Sequence, residues 1–191
     1  MLNCLVPAVG LIALSAAALA QPPASENGFT PPGSPATARV PIAGGNGTPV
    51  SGMAIFTEGP EGVLIRIRVN DLPVEARGTW HAAHLHETAD CSAADFTSAG
   101  SHINPQGRQH GLLNEQGPEP ADLPNLWADA AGNINAEVYT TAITLTDGTG
   151  RVSLYDDDGS AIVLHTGPDD HVSQPIGGAG SRIACGEIAS E

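Results

Sequence analysis

Val63-Leu64-Ile65-Arg66-Ile67-Arg68-Val69-Asn70 reads as a β-strand with one face in a core and the other toward water. Val63, Ile65, Ile67 and Val69 alternate with Leu64, Arg66, Arg68 and Asn70, and residues two apart on a strand share a face. Just before it, Glu58-Gly59-Pro60-Glu61-Gly62 has turn composition and links this strand to one that ends near Phe56. Further on, Ala161-Ile162-Val163-Leu164 is a short apolar run expected as a buried strand, and Ser181 to Ile188 is expected to be the last strand. Gly and Pro are abundant (23 and 16), aromatics make up only 4%, and no long helical periodicity appears. Many short strands joined by turns predict an all-β, antiparallel sandwich or barrel. At 191 residues the chain is long enough for one such domain plus short extra segments.

The extra segments lie at the start. Met1 to Ala20 has no charged side chain, is largely apolar from Leu5, and ends in Ala18-Leu19-Ala20, the small-x-small pattern of a cleavage site. Residues 1–20 are therefore expected to be an export signal, with a retained anchor as the other reading. The stretch is short for a membrane span of roughly 20 apolar residues, so no span is expected in the mature form. Residues 21–36, rich in Pro, Ser, Gly and Ala, read as a flexible leader, and the domain is expected over 37–191. Without the signal and its Cys4, Cys91 and Cys185 remain. An even pair in an exported protein, periplasmic or extracellular, predicts a disulfide; two buried thiols are the other reading.

The formal charge is −14, from 21 acids against 7 bases, and every base is an arginine. Nucleic-acid binding needs a basic footprint, which this chain lacks.

Two stretches fit no strand: Glu87 to Leu123 and Thr166 to Gly180 are long, polar and turn-rich. Loops of this length in a compact domain are usually functional or disordered. These contain or adjoin five of the seven histidines, which argues for function. The strongest local signal is His84-Leu85-His86, because on a strand both imidazoles face one side and can reach one ion.

Several motifs follow one another in a telling order: His84-Leu85-His86-Glu87, Cys91, Ser101-His102-Ile103-Asn104-Pro105, Arg108-Gln109-His110-Gly111, Ala121-Asp122-Leu123-Pro124-Asn125 and Gly177-Gly178-Ala179-Gly180-Ser181-Arg182-Ile183-Ala184-Cys185-Gly186. In order and spacing they resemble the copper–zinc superoxide dismutase family, over nearly all of the chain after Thr37. The short interval from His86 to Cys91 is similar to that of the bacterial periplasmic branch. The resemblance implies an eight-stranded antiparallel Greek-key β-barrel with two long functional loops. It also implies copper ligation by His84, His86, His102 and His165; four nitrogens in a tetragonal set suit Cu(II). His102 would bridge to a zinc ion held also by His110 and Asp122.

The third zinc histidine of the family is replaced here by Glu119, between Pro118 and Pro120. A carboxylate can ligate zinc, so Glu119 reads either as that ligand or as a solvated acid in a turn. The resemblance gives Asp169 the role of linking a copper histidine with a zinc histidine, and His81 that of packing beside the copper site without ligating. Ala82 and Ala83 replace the Gly and the aromatic that the family usually has there. Arg182 would stand at the mouth of the copper channel and attract the anionic substrate, superoxide. His102 and Arg182 are thus the catalytic candidates. His171 reads as a solvated loop residue that adds positive potential when protonated. The implied activity is conversion of superoxide to dioxygen and hydrogen peroxide by copper cycling, in a monomer or homodimer. A non-enzymatic periplasmic copper or zinc carrier on the same fold is the alternative.

Overall fold

The opening strand is as its alternation demands. In the computed structural model, which describes residues 35–45 and 47–189, strand β3 spans Val63–Asn70. Val63, Ile65, Ile67 and Val69 are all buried. The expected export signal over 1–20 lies outside the described residues. So does the leader over 21–36, apart from Pro35 and Ala36.

The β3 strand pairs antiparallel with β2 (Ser51–Glu58), and β2 with β1 (Thr37–Gly44), so the first three strands form consecutive hairpins. The turn at 59–62 closes through Gly59 N–H donating to the Gly62 carbonyl at 2.7 Å. On its other side β3 pairs not with the next strand in the chain but with β7 (Ile134–Thr140). That departure from neighbour-to-neighbour order is the Greek-key step. The short strands β4 (Trp80–His81) and β5 (Ala83–His86) are separated only by Ala82 and count as one interrupted strand. Strand β6 is Leu126–Trp127. Strands β8 (Ile143–Thr144) and β9 (Val152–Ser153) form a small parallel pair in the connection from β7 to β10 (Ser160–His165). The last strand, β11, is Arg182–Ile188.

The main sheet runs β5-β10-β11-β1-β2-β3-β7. A bridge from Ile134 to Ala128 brings β7 beside β6, and β6 pairs with β4, which leads back into β5. The ring is therefore closed with eight strands, once β4 and β5 are taken together, and closure removes exposed sheet edges. Its interior is filled by Phe56, Ile65, Ile67, Leu85, Ile134 and Ile188 with their neighbours. Each such side chain contributes about 2 kcal/mol by leaving water.

Strand β10 is buried along its whole length, because both of its faces are covered. Ile162 and Leu164 join the barrel interior, whereas Ala161 and Val163 join a second cluster with Phe96, Ala99 and Cys185. That second cluster lies under the polar loop that follows β5. Cys91 in this loop is disulfide-bonded to Cys185 in β11, across 94 residues of sequence. Apart from the 3₁₀ turn Thr97–Ala99, neither loop holds a helix, and Glu87–Leu123 and Thr166–Gly180 hold no named strand.

Candidate metal centre

Alternation along β5 separates its residues into two sets. Ala83 and Leu85 pack in the barrel interior, so His84 and His86 face the opposite side, toward the loop. His102 comes from that loop, and a bridge between His86 and His102 docks it against β5. His165 ends β10, where the pairing with β11 shifts register between Leu164 and His165. The four expected copper residues converge. The His84 and His102 rings lie 4.3 Å apart, His84 and His165 4.9 Å, His86 and His102 5.1 Å, and His86 and His165 6.0 Å. Nitrogens of His84, His102 and His165 fall within 4.8 Å of one another.

Each of these rings has one nitrogen held by an oxygen and the other left bare. His84 Nε2 meets Asp169 Oδ2 at 3.0 Å, and His86 Nδ1 donates to the Gly100 carbonyl at 3.0 Å. His165 Nδ1 donates to the Gly180 carbonyl at 3.2 Å, and His102 Nδ1 meets Glu119 Oε2 at 2.7 Å. A carbonyl only accepts, so it fixes the proton on the nitrogen facing it and leaves a lone pair on the other. Those other atoms, His84 Nδ1, His86 Nε2, His102 Nε2 and His165 Nε2, are buried with no hydrogen-bond partner. Buried polar atoms are almost always paired, so four bare nitrogens in one place mark a site built for a metal ion. Burial pushes the His84 imidazole below its ordinary range, His86 to about 2 and His165 to about 3. They stay neutral and ready to ligate at any physiological pH.

A second group lies on the far side of His102. His102, His110, Glu119 and Asp122 bring one ligand atom each within 4.8 Å of the others. His110 Nδ1 is 2.7 Å from Asp122 Oδ1 and 3.6 Å from Glu119 Oε2. The other Asp122 oxygen accepts from the backbone N–H of Gly111 and of Glu119. Burial alone would push His110 down, but the Asp122 and Asp169 carboxylates outweigh it, and its pKa is pushed up to about 10. Glu119 is not a solvated acid: its side chain is 11% exposed and turned onto the histidines.

Asp169 joins the two halves. Its Oδ2 meets His84 Nε2 and its Oδ1 meets His110 Nε2, each at 3.0 Å. Burial would raise its pKa, yet the bonds from His110 and His84 hold the carboxylate well below the usual range. Gly177 has φ 59° and lies so close that a Cβ there would overlap Asp169 Oδ1. His81 lies beside the centre with both ring nitrogens against backbone carbonyls, those of His165 and Ala76, at 2.8 and 2.7 Å. Neither nitrogen is left for a metal. Ala82 and Ala83 are fully buried, and at the break in the strand the Ala82 backbone bonds Gly167 and His165 instead.

Arg182, His86, His102 and His165 line one open cleft of about 660 Å³, together with Glu87 and Glu119. Arg182 donates to the Phe96 carbonyl at 2.5 Å and to that of Gly100 at 2.7 Å. Gly100 thus holds both His86 and Arg182. The expectation for His171 is corrected: it is partly buried, 3.3 Å from Asp169, and contacted by Asn125 Nδ2 at 3.2 Å. It is absent from the cleft because Asp169 draws its ring inward. Sequence reasoning did not assign Asn125 a role, although it clamps the Asp169 backbone from both sides at 2.8 and 2.9 Å. The Gly100 and Gly180 carbonyls were also missed, since backbone groups leave no residue-type signal.

A family profile described as copper/zinc superoxide dismutase (SODC) matches residues 50–188. The chain is 47% identical over 139 residues to a Cu-Zn superoxide dismutase of Caulobacter vibrioides, covering 72% of this chain and 78% of that one. It is 44% identical over 139 residues to Cu-Zn superoxide dismutase 2 of Aquifex aeolicus, covering 73% and 79%. The crystal structure of a protein called SOD-like, from Bacillus subtilis, superposes with a TM-score of 0.72 at 31% identity, covering 80% of this chain and 99% of that one. Barrel order, histidine geometry and these likenesses agree, and the chain belongs to the copper/zinc superoxide dismutase family.

Proposed function

We propose that this protein is an exported superoxide dismutase working through copper at His84, His86, His102 and His165. The observation that carries the reading is the set of four bare, buried imidazole nitrogens, three of whose rings (His86, His102 and His165) line a cleft with the Arg182 guanidinium. Copper held there by His84, His86, His102 and His165 would supply the one-electron chemistry. The chain's own residues do the rest. Arg182, held by two carbonyls, presents positive charge in the cleft and orients the anion. His102 Nε2 would be the chain's own proton donor to the reduced product, with the second proton coming from water. Asp169, Gly100 and Gly180 fix the ring orientations, so little reorganisation accompanies each electron transfer.

His102, His110 and Asp122, with Glu119 facing them, are the zinc side of the reading. Zinc there would draw the two halves together through His102. A carrier on the same fold remains the rival, since one relative is itself called SOD-like.

Direct observation of radical decay separates the two. Catalytic amounts of copper-loaded protein should remove a large excess of superoxide at a rate first-order in protein. A carrier would consume about one equivalent per copper and stop, and that result would end the dismutase reading.

A further inference from the structure

Glu119 stands where the family resemblance calls for a zinc histidine, and both oxygens of its carboxylate are held by neighbouring side chains. On the zinc side, His110 Nδ1 and Asp122 Oδ1 face each other in a buried contact at 2.7 Å. His102 Nδ1 and the Glu119 carboxylate are paired as well. They are aligned with each other as a hydrogen bond at 2.7 Å. The other Glu119 oxygen accepts from Asn104 Nδ2 at 2.8 Å. Asn104 is itself fixed, donating to the Arg108 carbonyl at 2.7 Å and accepting the Arg108 N–H at 2.9 Å. The Glu119 backbone is tied in both directions to Asp122, by N–H to Oδ2 at 2.9 Å and by its carbonyl to Asp122 N–H at 3.2 Å.

The same pattern appears in the other three copper histidines. His84 has Asp169, His86 has the Gly100 carbonyl, and His165 has the Gly180 carbonyl on the ring nitrogen away from the copper side. For His102 the corresponding oxygen is Glu119 Oε2. Copper entering its site breaks no hydrogen bond of these rings. Zinc entering the second site must displace the bond between His102 and Glu119 as well as the contact between His110 and Asp122.

We infer that Glu119 is a positioning residue for His102, whose carboxylate makes the copper half of the centre independent of zinc. With Nδ1–H donated to Glu119, His102 keeps its ring in place and its Nε2 lone pair toward the other three nitrogens. A histidine in place of Glu119 would be a third nitrogen donor on the zinc side and would leave His102 without its carboxylate anchor until zinc arrived. The inference rests on the copper assignment proposed above but not on turnover.

The test is copper titration of protein stripped of all metal by a chelator, followed by electron paramagnetic resonance and chelator competition. Wild type without zinc should give one tetragonal, four-nitrogen Cu(II) signal per chain, unchanged when zinc is added. Glu119→Ala without zinc should give an altered signal and copper binding about 10–100-fold weaker. Glu119→Gln keeps an amide oxygen as acceptor and should stay within about threefold of wild type. A wild-type signal that becomes tetragonal only after zinc is added would overturn the inference, and so would wild-type behaviour of zinc-free Glu119→Ala. If Glu119→Ala fails to fold by circular dichroism, the wild-type comparison with and without zinc still decides. Because the readouts are a spectrum and an affinity, copper binding without turnover would end the dismutase reading and leave this one standing.

Discussion

Asp169 holds two histidines on one carboxylate, but the two rings it holds are in opposite condition. His84 is kept neutral by burial, whereas His110 lies between Asp122 and Asp169 and its pKa is pushed up to about 10. In metal-free protein at neutral pH, His110 therefore carries a proton that zinc must displace. His86 and His165, pushed down to about 2 and 3, carry none. Zinc affinity should then rise with pH by up to about tenfold per unit between pH 7 and 10, with about one proton released from His110. Copper uptake at His86 and His165 should release none above about pH 5. Calorimetry in two buffers of different ionisation enthalpy counts those protons; equal release for both metals would contradict this electrostatic picture. The side chains of the centre were legible in the sequence because histidine and aspartate announce metal chemistry. Gly100 and Gly180 were not, since they act through carbonyl oxygens, nor was the inward turn of His171, which depends on Asp169 across the loop.

The elements that carry these residues explain how precise the centre is. The alternation from Val63 to Val69 was readable because one face of β3 is core and the other is water. The apolar run Ala161–Leu164 within β10 was readable as buried, but not why. Only the structure places Ala161 and Val163 against a second cluster beneath the loop that contains Cys91. Strand ends fell close to expectation, with β2 running on to Glu58 and β11 beginning at Arg182. The break at Ala82 could not be foreseen, because it follows from bonds to Gly167 and His165 on other segments. The disulfide ties that loop to β11, closing about 95 residues, a constraint of about 4–5 kcal/mol by loop-closure entropy. The loop also carries Gly100, which holds His86 and Arg182. Cys185→Ser should therefore cost about 2–5 kcal/mol in urea unfolding and also weaken copper binding in chelator competition. Loss of stability with unchanged copper affinity would show that the loop holds its place without the disulfide.

For the whole molecule, charge works against the proposed substrate, superoxide. The chain carries a formal −14 without a single lysine, and Glu87, Asp95 and Glu119 line the cleft in which Arg182 is the lone arginine. Superoxide is an anion, so long-range repulsion slows its approach, and salt screens that repulsion within about 10 Å at 0.1 M. The catalytic rate should rise as ionic strength goes from about 0.01 to 0.15 M. Arg182→Ala should lower it by about tenfold or more at every salt concentration. A rate that falls with salt would mean that Arg182 dominates the field despite its acidic surroundings. Composition made the net charge legible, but not its arrangement around the cleft, which needed the folded loops. The most direct test is the rate of superoxide decay as copper is added stepwise to metal-free protein. It should climb linearly to about one copper per chain and then stay flat, since one four-imidazole site borders the cleft through His86, His102 and His165. No acceleration at one equivalent, or a rate that keeps climbing with adventitious copper, would contradict the assignment.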